Sequence, residues 1–267
     1  MTELGPPDDI EYIVVDPVQY KKYGWTRDKF DSRDRPFVVR YKNNAPRTFT
    51  LKDKSAPVLD QGTLGSCTAN GIANALRYCE LQEDIDEGKA RSRLFIYYIE
   101  RDKEGTTNTD SGASIRDGIK CVASIGACFE DTWPYNISLF TEKPSIEAYE
   151  EAKLHPAIQY ERVEQTEQML KQALNTGFPI VFGFNVFETI ENEEVKKTGI
   201  IPLPRPGDSK LGGHCVLLTG YDDSKRLFQI QNSWGVSWGD CGFGYMSYDY
   251  ITNPAFANDF WHITYVK

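Results

Sequence analysis

Histidine and cysteine are scarce in this chain. There are three histidines and six cysteines among 267 residues. The cysteines, at 67, 79, 121, 128, 215 and 241, form no CxxC pair and no Cys/His spacing of the zinc-finger kind. That pattern argues against a structural zinc site and calls for no other cofactor, and six cysteines in so long a chain are too few for a disulfide scaffold. Long apolar runs are missing too: the stretch 178–184 falls far short of the ~18 residues a membrane span needs. The start, Met1 followed by Thr-Glu-Leu-Gly-Pro-Pro-Asp-Asp, has neither the basic opening nor the apolar stretch of a secretory signal. We therefore expect a soluble protein of the cytoplasm or another reducing compartment, free of membranes, with its thiols mostly reduced. A surplus of positive charge is also absent. The net charge of −9 argues against nucleic acid as the main partner. What is present, 40% hydrophobic and 26% charged residues, is enough for one large domain or two small ones, expected as a monomer.

The charge is unevenly placed. Residues 27–54 carry nine Lys/Arg against four Asp, a net of +5, whereas 55–267 sum to −11. Residues 1–56 are rich in Pro, Asp and Arg and read as an extended N-terminal segment, of which 1–46 is expected as an extension ahead of a domain at 47–267. Apolar residues at helical spacing predict helices over 66–81, with Ser66 placed as cap, and over 92–101, 114–125, 145–153 and 166–175. From Phe178 the pattern changes to apolar or alternating runs at 178–184, 214–222, 226–233, 242–248 and 259–266, which predict strands. A helical lobe of about 47–157 followed by a strand-rich lobe of about 158–267 gives an α+β protein with a cleft between the lobes, where ligand sites commonly lie.

Cys67 falls in the first turn of the first helix, where the positive helix end favours thiolate over thiol. The loop Asp60-Gln61-Gly62-Thr63-Leu64-Gly65-Ser66 leads straight into it. A free cysteine is more often a small buried apolar residue, but a nucleophile with a base nearby would read differently. His155 precedes Pro156 in a polar connection, His262 lies in an alternating strand, and His214 opens a strand after Gly212-Gly213. The strands 214–222 and 226–233 flank Asp222-Asp223-Ser224-Lys225, so they form a hairpin whose paired numbers sum to about 446–448. His214 then lies opposite Asn232 or diagonal to it. The sum must be even, since a one-residue slip sends the two side chains to opposite faces. A carbonyl there can hold the imidazole in one tautomer and leave its other nitrogen for the thiol.

Gln61-Gly62-x-x-Gly65-Ser66-Cys67, then Gly213-His214, then Asn232-Ser233-Trp234-Gly235-x-x-Trp238-Gly239 resemble the papain-like, cathepsin-type cysteine peptidases. The histidine and asparagine lie 147 and 165 residues beyond Cys67. Glu130-Asp131-Thr132-Trp133-Pro134-Tyr135 resembles the family segment that ends in Tyr-Pro-Tyr. Gly-Ser-Cys-Thr-Ala-Asn and Ser-Arg-Leu-Phe-Ile-Tyr-Tyr look most like the xylellain-like branch of bacteria and large viruses. The resemblance implies a papain-like two-lobed fold with a β-barrel-like second lobe. It makes Cys67 the nucleophile, His214 the acid/base partner, Asn232 the orienting residue and Gln61 an oxyanion donor together with the Cys67 N–H. It makes Trp234 a cover for the Asn232–His214 bond and places Trp238 on the leaving-group side. Gly112 keeps one glycine of the family's Gly-Gly substrate strand while Ala113 replaces the other. Ser114 and Ile115 would border the S2 pocket, with Gly213 and Cys215 across it, and Tyr248, Phe256 and Phe260 are further candidates for that pocket. Leu64 and Asp110 stand where the family has a disulfide, and Thr68 replaces its Trp.

The implied activity is cysteine endopeptidase action on peptide or protein substrates through a thioester acyl-enzyme. A catalytically silent papain-like module that binds peptides is the alternative, and the intact Cys/His/Asn/Gln set argues against it. Peptide ligation would use the same residues. The N-terminal segment reads as a short propeptide. Its basic stretch facing an acidic body predicts autoinhibition by residues 20–45, with Tyr23, Trp25 or Phe37 as apolar anchors.

Overall fold

The computed structural model describes residues 23–39, 45–83, 88–154 and 158–265, so His155 lies outside the described residues. In chain order the elements are β1 (Trp25–Thr26), β2 (Thr48–Thr50), α1 (Cys67–Gln82), α2 (Arg93–Glu104), β3 (Ala113–Ser114), α3 (Ile115–Ile125), α4 (Ile146–Ala152), β4 (Ile158–Arg162) and α5 (Glu167–Leu174). These are followed by β5 (Ile180–Phe187), α6 (Glu193–Thr198), β6 (Ile200–Ile201), β7 (Lys210–Asp222), β8 (Leu227–Gln231), β9 (Phe243–Ser247), α7 (Tyr248–Ile251) and β10 (Ala257–Tyr265). The fold is α+β with two lobes. Among the described residues one sheet runs β4-β10-β5-β7-β8-β9-β6 with β2 added to β7, antiparallel except for β6 on β9.

Local chemistry sets the helix ends. Ser92, Ser114, Ser145 and Thr166 each accept a backbone N–H of the first turn, at α2, α3, α4 and α5. Ser66 does not cap α1 as expected: its hydroxyl contacts the Tyr135 hydroxyl at 2.6 Å and the Asn70 amide at 3.0 Å. Nor does α1 have one buried face. Every residue from Cys67 to Glu80 is buried, because the helix lies between the helical lobe and the inner face of the sheet. Its polar groups are paired internally. Glu80 accepts from Arg91 at 2.6 Å and Tyr265 at 3.1 Å, and Thr68 donates to Glu100 at 2.6 Å.

Two hydrophobic cores result. One gathers α1, α2 and α3 against Val181, Leu217, Trp261 and Ile263 of the sheet. The other lies on the sheet's far face, around Phe182, Phe184, Leu218, Phe228, Met246 and Phe260. No helix among the described residues is long and apolar enough to cross a membrane, and no group of three His, Cys, Asp or Glu among them could hold a metal ion. The six cysteines are free thiols.

The β7–β8 hairpin changes register part-way. Leu217 pairs with Gln231 and Leu218 with Ile230, a sum of 448, whereas Gly220–Gln229, Tyr221–Phe228 and Asp222–Leu227 sum to 449. The expected 446–448 therefore fits the end near His214 but not the turn. The difference is a β-bulge at Thr219, whose carbonyl turns to accept from Leu51 N–H at 2.9 Å. Carried to the open end, a sum of 449 would put His214 and Asn232 on opposite faces. The bulge restores the even sum and brings them to the same face.

Candidate active site

His214 sits on β7 and its Nε2 lies 2.8 Å from Asn232 Oδ1. That same oxygen accepts the Ser233 backbone N–H at 2.8 Å. An atom that accepts from a backbone N–H is the amide's oxygen, so the imidazole carries a proton on Nε2, and in the neutral ring the lone pair is on Nδ1. The Trp234 ring stacks on the imidazole with centroids 4.5 Å apart, itself braced edge-on by Trp238 at 5.4 Å. Both indoles are buried.

Cys67 is the first residue of α1 and fully buried. The backbones of Gly24 and of Cys215, the residue after His214, lie close enough to the sulfur to favour its thiolate, which sets the thiol beside β7. The first-turn position does not give the thiolate expected from the sequence. Burial outweighs the hydrogen bonds from Cys215, Gly24 and Thr68 and pushes the thiol up to about 12, with the Glu100 carboxyl adding to the rise.

Gln61 is clamped from three sides. Its side-chain Nε2 donates to Leu64 O at 2.9 Å and its Oε1 accepts from Ser233 Oγ at 2.8 Å. Its main chain donates to Ser233 O at 2.9 Å and accepts from Tyr135 Oη at 2.9 Å. Ser233 thus orients both Asn232 and Gln61. The sequence contained it within a motif without giving it that task. Asp110, in the place of a disulfide partner, accepts the Gly65 N–H at 3.0 Å and the Tyr97 hydroxyl, so hydrogen bonds secure the glutamine loop.

The family model described as papain family cysteine protease matches residues 45–259. The chain belongs to the papain family of cysteine proteases. It is a cysteine-type peptidase. Xylellain, a cysteine protease from Xylella fastidiosa, is 39% identical with a TM-score of 0.87 over 92% of this chain and 96% of its own. An uncharacterized peptidase C1-like protein of Acanthamoeba polyphaga mimivirus is 38% identical over 91% of this chain and 86% of its own length. Digestive procathepsin L 3 of Tenebrio molitor, 17% identical with a TM-score of 0.68 over 86% of this chain and 73% of its own, shares the fold.

In this papain-family chain a strap formed by residues 23–38 fills the cleft. β1 pairs in parallel with β3, Trp25 beside Ala113 and Thr26 beside Ser114, and Gly24 bridges to Gly213. Gly24 O accepts the Ala113 N–H at 2.8 Å. A Cβ at Gly112, where φ is +70°, would lie 1.9 Å from that oxygen, and a Cβ at Gly24 would lie 1.8 Å from Gly65 O, so both positions admit only glycine. The Trp25 indole, 7% exposed, is pressed between Gly183 and Gly213, where added Cβ atoms would come within 2.0 and 2.7 Å of the ring. Tyr23 lies edge-on to His214 at 6.2 Å and donates to Glu191. Phe37 is buried against the His262 ring at 5.1 Å.

Of the residues expected around the S2 pocket, Gly112, Ala113, Ser114 and Gly213 line the strap. Ile115 turns into the helical core, and Cys215 lies two residues beyond Gly213 with its sulfur toward Gly71. Tyr248, Phe256 and Phe260 do not line this pocket. Phe260 stacks on Phe182 at 5.0 Å and Tyr248 packs on Phe228 at 4.6 Å in the far-face core, while Phe256 packs on Tyr250 at 5.4 Å. The pocket wall is Gly183, against which the Trp25 ring lies. A glycine inside the apolar strand Ile180-Val181-Phe182-Gly183-Phe184 is the signal for close approach of another group.

Charge complementarity also runs opposite to expectation. The described strap is held by its aspartates on cations of the body: Asp34 on Arg116 at 3.1 Å, Asp31 on Lys120 at 3.4 Å and Asp28 on Arg162 at 3.4 Å. The basic residues of the strap were the obvious feature in sequence. Arg27, Lys29, Arg33 and Arg35 are exposed instead.

Proposed function

We propose that this peptidase cleaves peptide bonds within polypeptide chains through a thioester at Cys67, and that its strap keeps it latent. Cys67 Sγ attacks the substrate carbonyl and His214 Nδ1 receives the thiol proton. The developing oxyanion is met by the Gln61 side-chain amide and the Cys67 N–H. The imidazolium, oriented by Asn232 and shielded by Trp234, then protonates the leaving amine. Water hydrolyses the thioester with His214 as base. The observation that carries this reading is the double acceptance at Asn232 Oδ1, which leaves the lone pair of His214 on Nδ1.

Latency follows from what the strap offers the sulfur. Gly24 lies beside Cys67, and its carbonyl is taken by the Ala113 N–H rather than offered to the sulfur. The burial that raises the Cys67 pKa depends on the same strap. With the strap lifted, the thiol regains water and the helix terminus acts on it. Residues 1–46 as a propeptide and 47–267 as the working domain are part of this proposal.

Gly24→Ala in the full-length chain tests both halves, because a methyl 1.8 Å from Gly65 O prevents docking without altering the body. We expect the variant to hydrolyse peptides and to be labelled by an epoxide peptide inhibitor at least tenfold faster than the parent. Adding Cys67→Ala should abolish both. Equal labelling of parent and Gly24→Ala would remove the latency; labelling without hydrolysis would remove the peptidase mechanism.

A further inference from the structure

Asp28 lies three residues beyond Trp25, and its carboxylate is fully buried. It accepts from Trp261 Nε1 at 2.8 Å, from Arg116 N–H in the first turn of α3 at 3.1 Å, and from Arg162 Nη1 at 3.4 Å. All three donors belong to the body, on β10, α3 and β4. Asp34 of the strap adds contacts to Arg116 at 3.1 Å and to Arg162 at 3.6 Å. The acid of the body in direct contact there is Asp259, which accepts Asp28 N–H at 2.7 Å and Arg162 Nη2 at 2.8 Å, while Asp117 and Glu164 lie nearby. Asp259 is placed by a β-bulge in β10 and has a positive φ of 58°.

When the strap leaves, Asp28 and Asp34 leave with it. Arg116 and Arg162 then keep Asp259 as a bonded acid, with Asp117 and Glu164 nearby, while Trp261 Nε1–H, the Arg116 N–H and Arg162 Nη1 lose the carboxylate that accepted from them inside a recess. Buried donors without a partner are costly, so the recess favours an occupant that accepts from them. It lies about 10 Å along the cleft from the Trp25 pocket, the span of three extended residues.

We infer that this recess is a specificity subsite for an aspartate of the substrate, about three residues N-terminal to a large apolar side chain in the Gly183/Gly213 pocket. The inference rests on the reading that the strap occupies the substrate's groove. The acyl side of a substrate runs from Cys67 past the Trp25 pocket toward this recess, because Tyr23, at the other end, lies against His214 and Trp234. Asp259 shares the recess, and burial raises a carboxyl held beside it. The preference therefore strengthens toward mildly acidic pH, where a carboxyl in the place of Asp28 takes up a proton.

The test uses the full chain carrying Gly24→Ala and Asp28→Ala, so that the recess is empty. Peptides with Phe near the scissile bond and Asp, Ala or Lys three residues N-terminal to it are compared for kcat/KM at pH 5 and pH 8. The same peptides are compared for protection of Cys67 against iodoacetamide, which needs no turnover. We expect Asp to exceed Ala by about tenfold at pH 5 and by less at pH 8, with Lys poorest. Adding Arg162→Glu should erase the Asp advantage and raise Lys, a reversal that a damaged fold cannot produce. Protection without cleavage would sink the peptidase mechanism and leave the subsite standing. Asp no better than Ala in either readout at pH 5, or an order unchanged by Arg162→Glu, would overturn the subsite.

Discussion

The strap should bind its groove more tightly in acid than at neutral pH. Asp28 is buried beside Asp259, and desolvation, then the neighbouring carboxylate, lift it from an ordinary 3.8 to about 6, against the opposing pull of Arg116 N–H, Trp261 Nε1 and Arg162. A carboxyl whose docked pKa is raised contributes stabilisation that is fully present below its free value and is lost as pH rises through the docked value. The window is therefore about pH 4 to 6, and the gap is worth about 3 kcal/mol, up to roughly a hundredfold in the docking equilibrium. Asp31 does not reverse the sign. Its carboxyl is held low mainly by Arg33, a neighbour within the strap that stays with it after undocking. Hydrogen exchange at the Ala113 amide, which donates to Gly24 O, reads the docking directly. After correction for intrinsic exchange, protection should climb as pH falls from 6.5 to 4. In Asp28→Asn, a neutral isostere, it should stay nearly level and exceed the parent's at pH 7. Protection that is flat or falls with acid in the parent, or a full pH dependence surviving in Asp28→Asn, would refute the account.

Gly183→Ala places a methyl 2.0 Å from the Trp25 indole, so the full-length variant should expose Cys67 and be alkylated at least tenfold faster at pH 7; an unchanged rate would mean that the indole is not the anchor. Deleting Thr219 removes the bulge yet leaves Leu218–Ile230 and Gly220–Gln229 as successive pairs, so His214 and Asn232 stay on one face; in a Gly24→Ala background kcat should stay within about tenfold of the undeleted chain, and a loss of about a hundredfold would mean that the bulge does more than absorb the extra residue. Glu100, fully buried with Thr68 as its hydrogen-bond donor, has a pKa raised well above the usual carboxylate range by burial. Its contribution to stability is complete below about pH 4 and declines as pH rises toward its raised pKa. Thermal unfolding of Glu100→Gln should therefore lack this decline between pH 5 and 8, and parallel curves for variant and parent would contradict it.

Periodicity and short motifs were sufficient for much of the molecule. The helices at α1 to α5 and the strands β5, β7, β8, β9 and β10 each fall within a few residues of the runs that announced them. Local repeats of apolar residues report which face or period a segment adopts, and Cys67, His214, Asn232 and Gln61 sit in sequence neighbourhoods that carry their chemistry with them. Non-local relations were not legible. The complete burial of α1 depends on two layers closing over it, and the short β4 and α6 gave no periodic signal. The far-face position of Tyr248 and Phe260 follows from the curvature and pairing of strands far apart in the chain.

Composition showed a basic N-terminal segment and an acidic body, yet the contacts that hold the strap have the opposite sign, since ion pairs depend on which few side chains meet rather than on segment totals. The sequence by itself determined the kinds of groups available for catalysis and the secondary elements that bear them. Tertiary structure alone decided that Gly183 and Gly213 make room for an indole and that a bulge absorbs the extra residue at position 219, keeping imidazole and amide on one face. It also decided that burial, not the helix terminus, governs the thiol while the strap is in place. The physical reason is that propensity and periodicity act over a few residues, whereas steric fit, register and desolvation are set by atoms brought together across the whole chain.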